Sequence, residues 1–262
     1  MIRALYTAAS GMTAQQTNID NVAHNLANAN TAGFKKSHVE FSDLVYDQTR
    51  VPGAPTSNVG ESPIGLETGL GVRVVGTSRD FGRGNLRSTN SPLDLAIEGE
   101  GFFQIQLPSG ELGYTRTGTF HMNGEGALVT NDGNLVQPQI SIPVNATSIS
   151  ISRAGIVSVN IPGQSASQQV GQLELATFQN PSGLRAAGGN IFMPTTASGD
   201  PQVGAAAEDQ RGAIAQGFVE DSNVSVVEEM VNMILGQRAY EANSKVIKAA
   251  DEMLAQVNTI VR

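Results

Sequence analysis

Apolar residues recur every seven positions at both ends of this 262-residue chain, and no other feature narrows its possible folds as much. Near the start, Leu5, Met12, Ile19 and Leu26 form one row. Ala8, Val22 and Ala29 fall three positions after, with Gln15 as the polar exception. Near the end, Val226, Met233, Tyr240, Ile247, Leu254 and Val261 form a second row, flanked by Ala239, Val246, Met253 and Ile260 and by Ala250 and Val257. Rows of this kind predict two amphipathic helices, over about residues 3–29 and 224–261. Asn28, Asn30, Thr31 and Gly33 supply the stop for the first. Ser222 and Asn223 are the expected N-caps of the second, with Glu228 and Glu229 in an early turn where the helix dipole favours acids. At 1.5 Å per residue the helices would be ~40 and ~57 Å long. Average globular helices run ~11–12 residues, so helices of this length signal a coiled coil or a fibrous assembly.

Between the ends the period changes to two. Leu93–Ile97, Phe102–Leu107, Ile140-Ser141-Ile142, Ile149-Ser150-Ile151, Val157–Ile161 and Leu173–Phe178 read as short strands. Asn123-Gly124 and Asp132-Gly133 are hairpin signals, and Tyr114-Thr115-Arg116-Thr117 follows a Pro108-Ser109-Gly110 turn. The predicted fold class is α+β: long N- and C-terminal helices paired as a coiled coil, with a central antiparallel β domain. The expected divisions are an N-terminal helix at 1–30, a linker and extended arm at 31–72, a β-rich domain at 73–221 and a C-terminal helix at 222–262. Within the arm, Pro52, Gly53, Pro55, Gly60, Pro63, Gly65, Gly69 and Gly71 punctuate a polar stretch without a sustained period, which reads as a loop or extended arm. A similar Gly/Ala/Gln/Pro-rich stretch spans about 179–217.

Charge and chemistry exclude several classes. The chain carries 16 Lys+Arg against 24 Asp+Glu, a net charge of -8, unsuited to gripping a nucleic-acid backbone. It has no Cys, hence no disulfides, thiolate metal sites or cysteine nucleophile. His24, His38 and His121 lack ligand spacing, and no serine elbow or phosphate loop is present. Gly69-Leu70-Gly71 and Gly99-Glu100-Gly101 read as tight turns. No catalytic, cofactor-binding or metal residue is therefore expected. The first residues lack the apolar run of a secretory signal. Two helices with one apolar side each leave the other side wet, so neighbouring copies are expected to cover it and to order the ends on assembly. The residues expected at that interface are Leu5, Met12, Ile19, Val22, Leu26, Val226, Met233, Tyr240, Ile247, Leu254 and Val261.

Longer motifs sit on these helices. Ala8-Ala9-Ser10-Gly11-Met12-Thr13-Ala14-Gln15-Gln16 and Asn25-Leu26-Ala27-Asn28-Ala29-Asn30-Thr31-Ala32-Gly33-Phe34-Lys35-Lys36 resemble the start of the bacterial flagellar rod and hook axial proteins. Glu228-Glu229-Met230-Val231-Asn232-Met233-Ile234 and Gln237-Arg238-Ala239-Tyr240-Glu241-Ala242-Asn243-Ser244-Lys245 resemble their end. The middle is also similar, at Leu95–Gln104, Tyr114–Gly118 and Val170–Leu173. The length and the insertion at roughly 46–70 resemble the distal-rod branch of that family, with the proximal rod and hook branches as alternatives. The resemblance implies a helical homopolymer in which the terminal helices form an inner tube and the β domain an outer layer. It implies proximal rod and hook proteins as axial neighbours, the P and L rings around the shaft, and a place in the basal body across the periplasm. It also implies passage through the flagellar type III export apparatus without a cleaved signal. Pro52, Pro55, Pro63, Leu66 and Leu70 are then candidates for an arm that stiffens the shaft. The acidic middle segment would face the rings.

Overall fold

A computed structural model describes residues 2–53, 55–57, 60–61, 63–163 and 166–260. Two helices and many short strands make the chain α+β, with the strand-rich region central and antiparallel. Contacts divide it into two units. Unit 1 comprises Met1–Ala27, Ser37–Ser78 and Ser225–Arg262, and unit 2 comprises Asn28–Lys36 and Arg79–Val224.

Unit 1 contains both helices, α1 (Ile2–Ala27) and α2 (Val226–Ile260). They run antiparallel, since Asn25 meets Glu229, Ile19 faces Gly236 and Gly11 faces Asn243. The start of α2 differs from the sequence expectation. Ser225, not Ser222 or Asn223, holds the capping position: its hydroxyl accepts from the Glu228 N–H and its carbonyl from the Glu229 N–H. Strands Ser37–Asp43 and Val72–Arg79 pair with each other. The punctuated arm is not an irregular loop. Tyr46–Arg50 pairs antiparallel with Leu66–Gly69, and Pro55–Ser57 with Gly60–Glu61. A Cβ on Gly65 would meet Pro52 Cδ at 2.8 Å and Arg50 O at 2.9 Å, so glycine there lets the ribbon close.

Unit 2 is organised by Phe102–Gln106. This strand pairs antiparallel with Leu112–Thr115 on one edge, and with Leu135–Gln137 and Glu174–Thr177 on the other. The sheet extends through Leu128–Thr130 to Phe120–Met122, through Ile191–Met193 to Arg185–Gly188, and from Glu174–Thr177 to Gln202–Ala205. Alternation along the strand sends Phe103 and Ile105 into a large aliphatic core with Leu95, Ile97, Val157 and Leu175. Phe102 enters a second cluster with Tyr114, Phe178 and Phe192, where Tyr114 and Phe178 meet edge to face at 4.8 Å between ring centroids. A separate meander joins Ser148–Ile151, Ile156–Asn160 and Gln168–Gln172.

Two sequence expectations are corrected here. Ile140 and Ile142 are buried, but Ser141 makes only an isolated bridge to Ala127, because Pro138 and Pro143 bracket the segment and deny it a ladder. The stretch 179–217 contains Arg185–Gly188, Ile191–Met193, Gln202–Ala205 and Ala213–Gln216. Ala, Gly and Gln have weak strand preference, and partners distant in sequence, such as Leu95–Glu98 for Ala213–Gln216, impose the conformation.

Gly118 marks the tightest crossing of unit 2. Its carbonyl accepts from the Leu95 N–H at 2.9 Å, and a Cβ on it would sit 1.5 Å from the Leu95 carbonyl oxygen. Backbone on the facing side cannot rotate away. Gly118→Ala is expected to destabilise unit 2 by about 1–3 kcal/mol or more, measured as a lower urea midpoint; an unchanged midpoint would refute this packing.

Candidate assembly interface

The α1–α2 contact in unit 1 is close because small residues line it. A Cβ on Gly236 would lie 3.0 Å from Ile19 Cγ1, and one on Gly11 would lie 2.9 Å from Asn243 Nδ2. Ala8, Ala14, Val22 and Ala250 are buried. One end is pinned by polar groups. Asn21 Nδ2 and Asn25 Nδ2 both donate to the Ser37 carbonyl at 2.7 Å, and the Ser37 N–H donates back to Asn25 Oδ1 at 3.0 Å. Asn25 Nδ2 also donates to Glu229 Oε2 at 3.3 Å. Glu229 is therefore a buried register pin and not simply an exposed acid at a helix start.

The residues expected at the interface divide. Val22 is buried, and Leu5, Met12, Ile19, Leu26, Met233, Ile247 and Leu254 are half-buried. Val226 and Tyr240 are each 41% exposed. Val261 lies outside the described residues. The companion row facing α1 is Glu229, Gly236, Asn243 and Ala250, while Val246 and Met253 are exposed. On the ribbon, Pro52, Pro63, Leu66 and Leu70 are exposed; Pro55 begins a short strand, and its side chain lies outside the described residues.

A run of exposed apolar residues on α2 was not among the expected positions. Val227, Met230, Val231, Ile234 and Leu235 are all more than half exposed, with Val227 at 73%. Together with Val226 and Met233 they make the first ten residues of α2 apolar around most of the helix. That all-round pattern is a sequence signal of a helix enclosed on every side. Reading only the seven-residue rows hides it.

Unit 2 holds a buried ion cluster. Lys35 Nζ donates to Glu220 Oε1 at 2.6 Å and to the Gly82 carbonyl at 2.7 Å. Arg116 Nε donates to Glu220 Oε2 at 3.0 Å, and its Nη1 donates to the carbonyls of Gly99 and Gly101 at 2.9 and 2.6 Å. The Gly84 N–H donates to Glu220 Oε1 at 2.9 Å. Burial alone would push the Glu220 carboxyl up, but Arg116, then Lys35 and the Gly84 N–H, outweigh it and hold it below the ordinary carboxylate range. Burial and the nearby Arg116 push the Lys35 ammonium down against the pull of Glu220. Beside the cluster, Lys36, Asp80 and Asn223 hold one another. The Lys36 N–H donates to Asn223 Oδ1 at 2.7 Å, the Asp80 N–H to the Lys36 carbonyl at 2.9 Å, and Asn223 Nδ2 to the Asp80 carbonyl at 2.9 Å. Those residues stand next to three of the points where the chain passes between units.

Three family models match: "Flagella basal body rod protein" at residues 5–35, "Flagellar hook protein FlgE/F/G D1 domain" at 96–159 and "Flagellar basal body rod FlgEFG protein C-terminal" at 215–260. Along the whole chain, the flagellar basal-body rod protein FlgG of Buchnera aphidicola subsp. Baizongia pistaciae is 48% identical over 260 residues, covering 99% of this chain and all of the relative. The chain belongs to the flagellar basal-body rod protein family. The FlgG of Caulobacter vibrioides is 48% identical over 254 residues, 97% of each chain, and that of Bacillus subtilis 37% identical over 273 residues, the full length of both. Among the described residues of this rod-family chain, no helix is long and apolar enough to cross a membrane, and no group of three or more His, Asp or Glu is placed to hold a metal ion.

In this rod-family chain Lys35 and Arg116 lie inside the recognisable motifs, but nothing local in the sequence connects them to Glu220. Glu220→Gln would keep the shape and remove the charge the two cations share. It is expected to cost about 3–5 kcal/mol in unit 2. Because the folded carboxyl titrates below its unfolded value, its contribution is complete above about pH 4.3 and disappears as pH falls through the folded value. Denaturation series from pH 7 to pH 3 should therefore show the two proteins converging in acid. A constant gap throughout would contradict the assignment.

Proposed function

We propose that this rod-family chain assembles by burying, between copies, the apolar helix surface that its own fold leaves open. The chain is a structural subunit of the flagellar basal-body distal rod and not an enzyme. The observation that carries the assembly reading is the first ten residues of α2. Val227, Met230, Val231, Ile234 and Leu235 stay in water although the helix is apolar around most of its circumference. Five such side chains forgo roughly 1.5–3 kcal/mol each at full exposure, a gain that packing against sister molecules recovers. Contacts of this kind are heterologous: one patch meets a different patch, the rotation does not close, and addition continues as a helix.

In this reading α1 and α2 pair as a coiled coil through the Glu229, Gly236, Asn243 and Ala250 row of α2, and the interface with neighbouring copies is formed by Leu5, Met12, Ile19, Val22 and Leu26 of α1 with Met233, Tyr240, Ile247 and Leu254 of α2. Val226 and Val261 would extend it. The polymer joins proximal rod proteins at one end and hook protein at the other, turns within the P and L rings as it crosses the periplasm, and receives subunits through the type III export apparatus without signal cleavage. The ribbon bearing Pro52, Pro55, Pro63, Leu66 and Leu70 lies across neighbouring copies and resists sliding. The ribbon's pairing supports that role, because two hydrogen-bonded strands bend less readily than a loop.

Two experiments test this. Replacing both Ile234 and Leu235 by Asp should abolish rod formation while unit 2 unfolds at the wild-type urea midpoint, and rods of normal length from that variant would overturn the helix-surface reading. Removing residues 47–70 should leave rods that form but bend; electron microscopy of straight, stiff rods would remove the ribbon from the mechanism.

A further inference from the structure

Unit 2 contains a cavity of ≈ 470 Å³ that the assembly surfaces above do not use. Its lining includes Arg79, Phe81, Phe102, Arg116 and Phe178. The two arginines are in opposite situations. Arg116 is fully engaged by Glu220 and two carbonyls. Arg79 is half-buried, with its guanidinium 5.6 Å from the centroid of the Phe192 ring, and among the described residues no carboxylate lies within ion-pair distance of it. Burial alone pushes its pKa down, with no anion opposing the shift. A partly desolvated guanidinium without an anion is a standing cost that an incoming carboxylate removes. Arg83 lines the same cavity and is exposed. Of the acids on the wall, Asp80 already accepts from the Gly82 N–H and lies near the Lys36 ammonium, and Glu100 is exposed.

We propose that this cavity receives a carboxylate side chain from a second copy of the chain, the carboxylate pairing with Arg79 and its aliphatic stem lying on the rings of Phe81, Phe102 and Phe178. The inference rests on the polymeric reading above and adds a second, β-to-β contact to it. Charge makes a sister copy the fitting occupant. Unit 2 carries 9 Lys+Arg against 13 Asp+Glu, so acids are plentiful on its own surface and an unpaired cation in an aromatic pocket is the exception. The required combination of acid and apolar neighbour is present in the Leu107–Leu112 turn, where Glu111 and Leu112 are both exposed. Head-to-tail packing brings such a protrusion to a concave patch that it does not meet within one molecule. Arginine suits the role because its planar fork can bind a carboxylate bidentately.

The test places the photoreactive residue benzoylphenylalanine at Ser182, which also lines the cavity, in the full chain. Basal bodies isolated from cells making only this variant are irradiated, and the adducts mapped by mass spectrometry. The expected adduct joins two copies, at a peptide of the second copy that contains Asp or Glu. Arg79→Gln in the same background is expected to lower its yield about tenfold, as loss of a charged hydrogen-bonded pair implies, and Arg79→Lys to restore part of it. Rods that form without any adduct, or an adduct to a different protein, would overturn the pocket assignment while leaving the rod function standing. A chain that forms no rod overturns the polymeric reading and this inference with it. Unaltered yield in Arg79→Gln with an unchanged melting temperature would remove Arg79 from the contact.

Discussion

Lys35 and Arg116 are both buried cations, and the carboxylate of Glu220 is the anion both of them reach. Two charges of one sign in a low-dielectric interior repel strongly, so the geometry around Glu220 has little freedom. Lys35 is further tied to the Gly82 carbonyl, Arg116 to Gly99 and Gly101, and Glu220 to the Gly84 N–H. Three stretches of chain distant in sequence, at Lys35, Gly84 and Arg116, therefore converge on one carboxylate. The neighbouring Lys36, Asp80 and Asn223 hydrogen bonds tie together three further segments of unit 2 that are distant in sequence.

Unit 1 answers a different constraint. Its helices approach closely where Gly11 and Gly236 remove side chains, and the Asn25–Glu229 contact fixes which residues face each other. On α2 the most exposed large apolar residues, Val227, Met230, Val231, Ile234 and Leu235, lie away from that contact. A globular helix pair would place them inward and the small ones outward. The inversion makes sense when the contact within one molecule sets register, and contacts between molecules supply most of the burial.

Much of this was legible in the residues. Both helices were visible from their heptads, and Phe102–Gln106, Ser148–Ile151, Ile156–Asn160 and Glu174–Thr177 from alternation. Strands such as Arg185–Gly188 and Gln202–Ala205 were not, because Ala, Gly and Gln carry no period and take their conformation from partners elsewhere in the chain. Glu220 was hidden for a related reason. A buried ion cluster is a tertiary fact: Lys35 and Glu220 are 185 positions apart, and nothing local distinguishes either from a surface charge. The exposed start of α2 was legible in principle, but a search for one apolar row passes over a helix that is apolar on most of its sides.

A rod subunit must avoid polymerising early yet cohere once placed, and the distribution of charge and apolar area bears on both. Net charge of -8 keeps free copies apart over the Debye length of about 8 Å at physiological ionic strength. Apolar burial acts only on contact and grows with the area covered, so it dominates once neighbours lie side by side. Exposed Val227, Met230, Val231, Ile234 and Leu235 then offer little to a single stray partner and much to a lattice that covers them from several directions. Repulsion at a distance combined with burial on enclosure favours addition at an existing end over pairing in solution, which is the asymmetry a growing shaft needs.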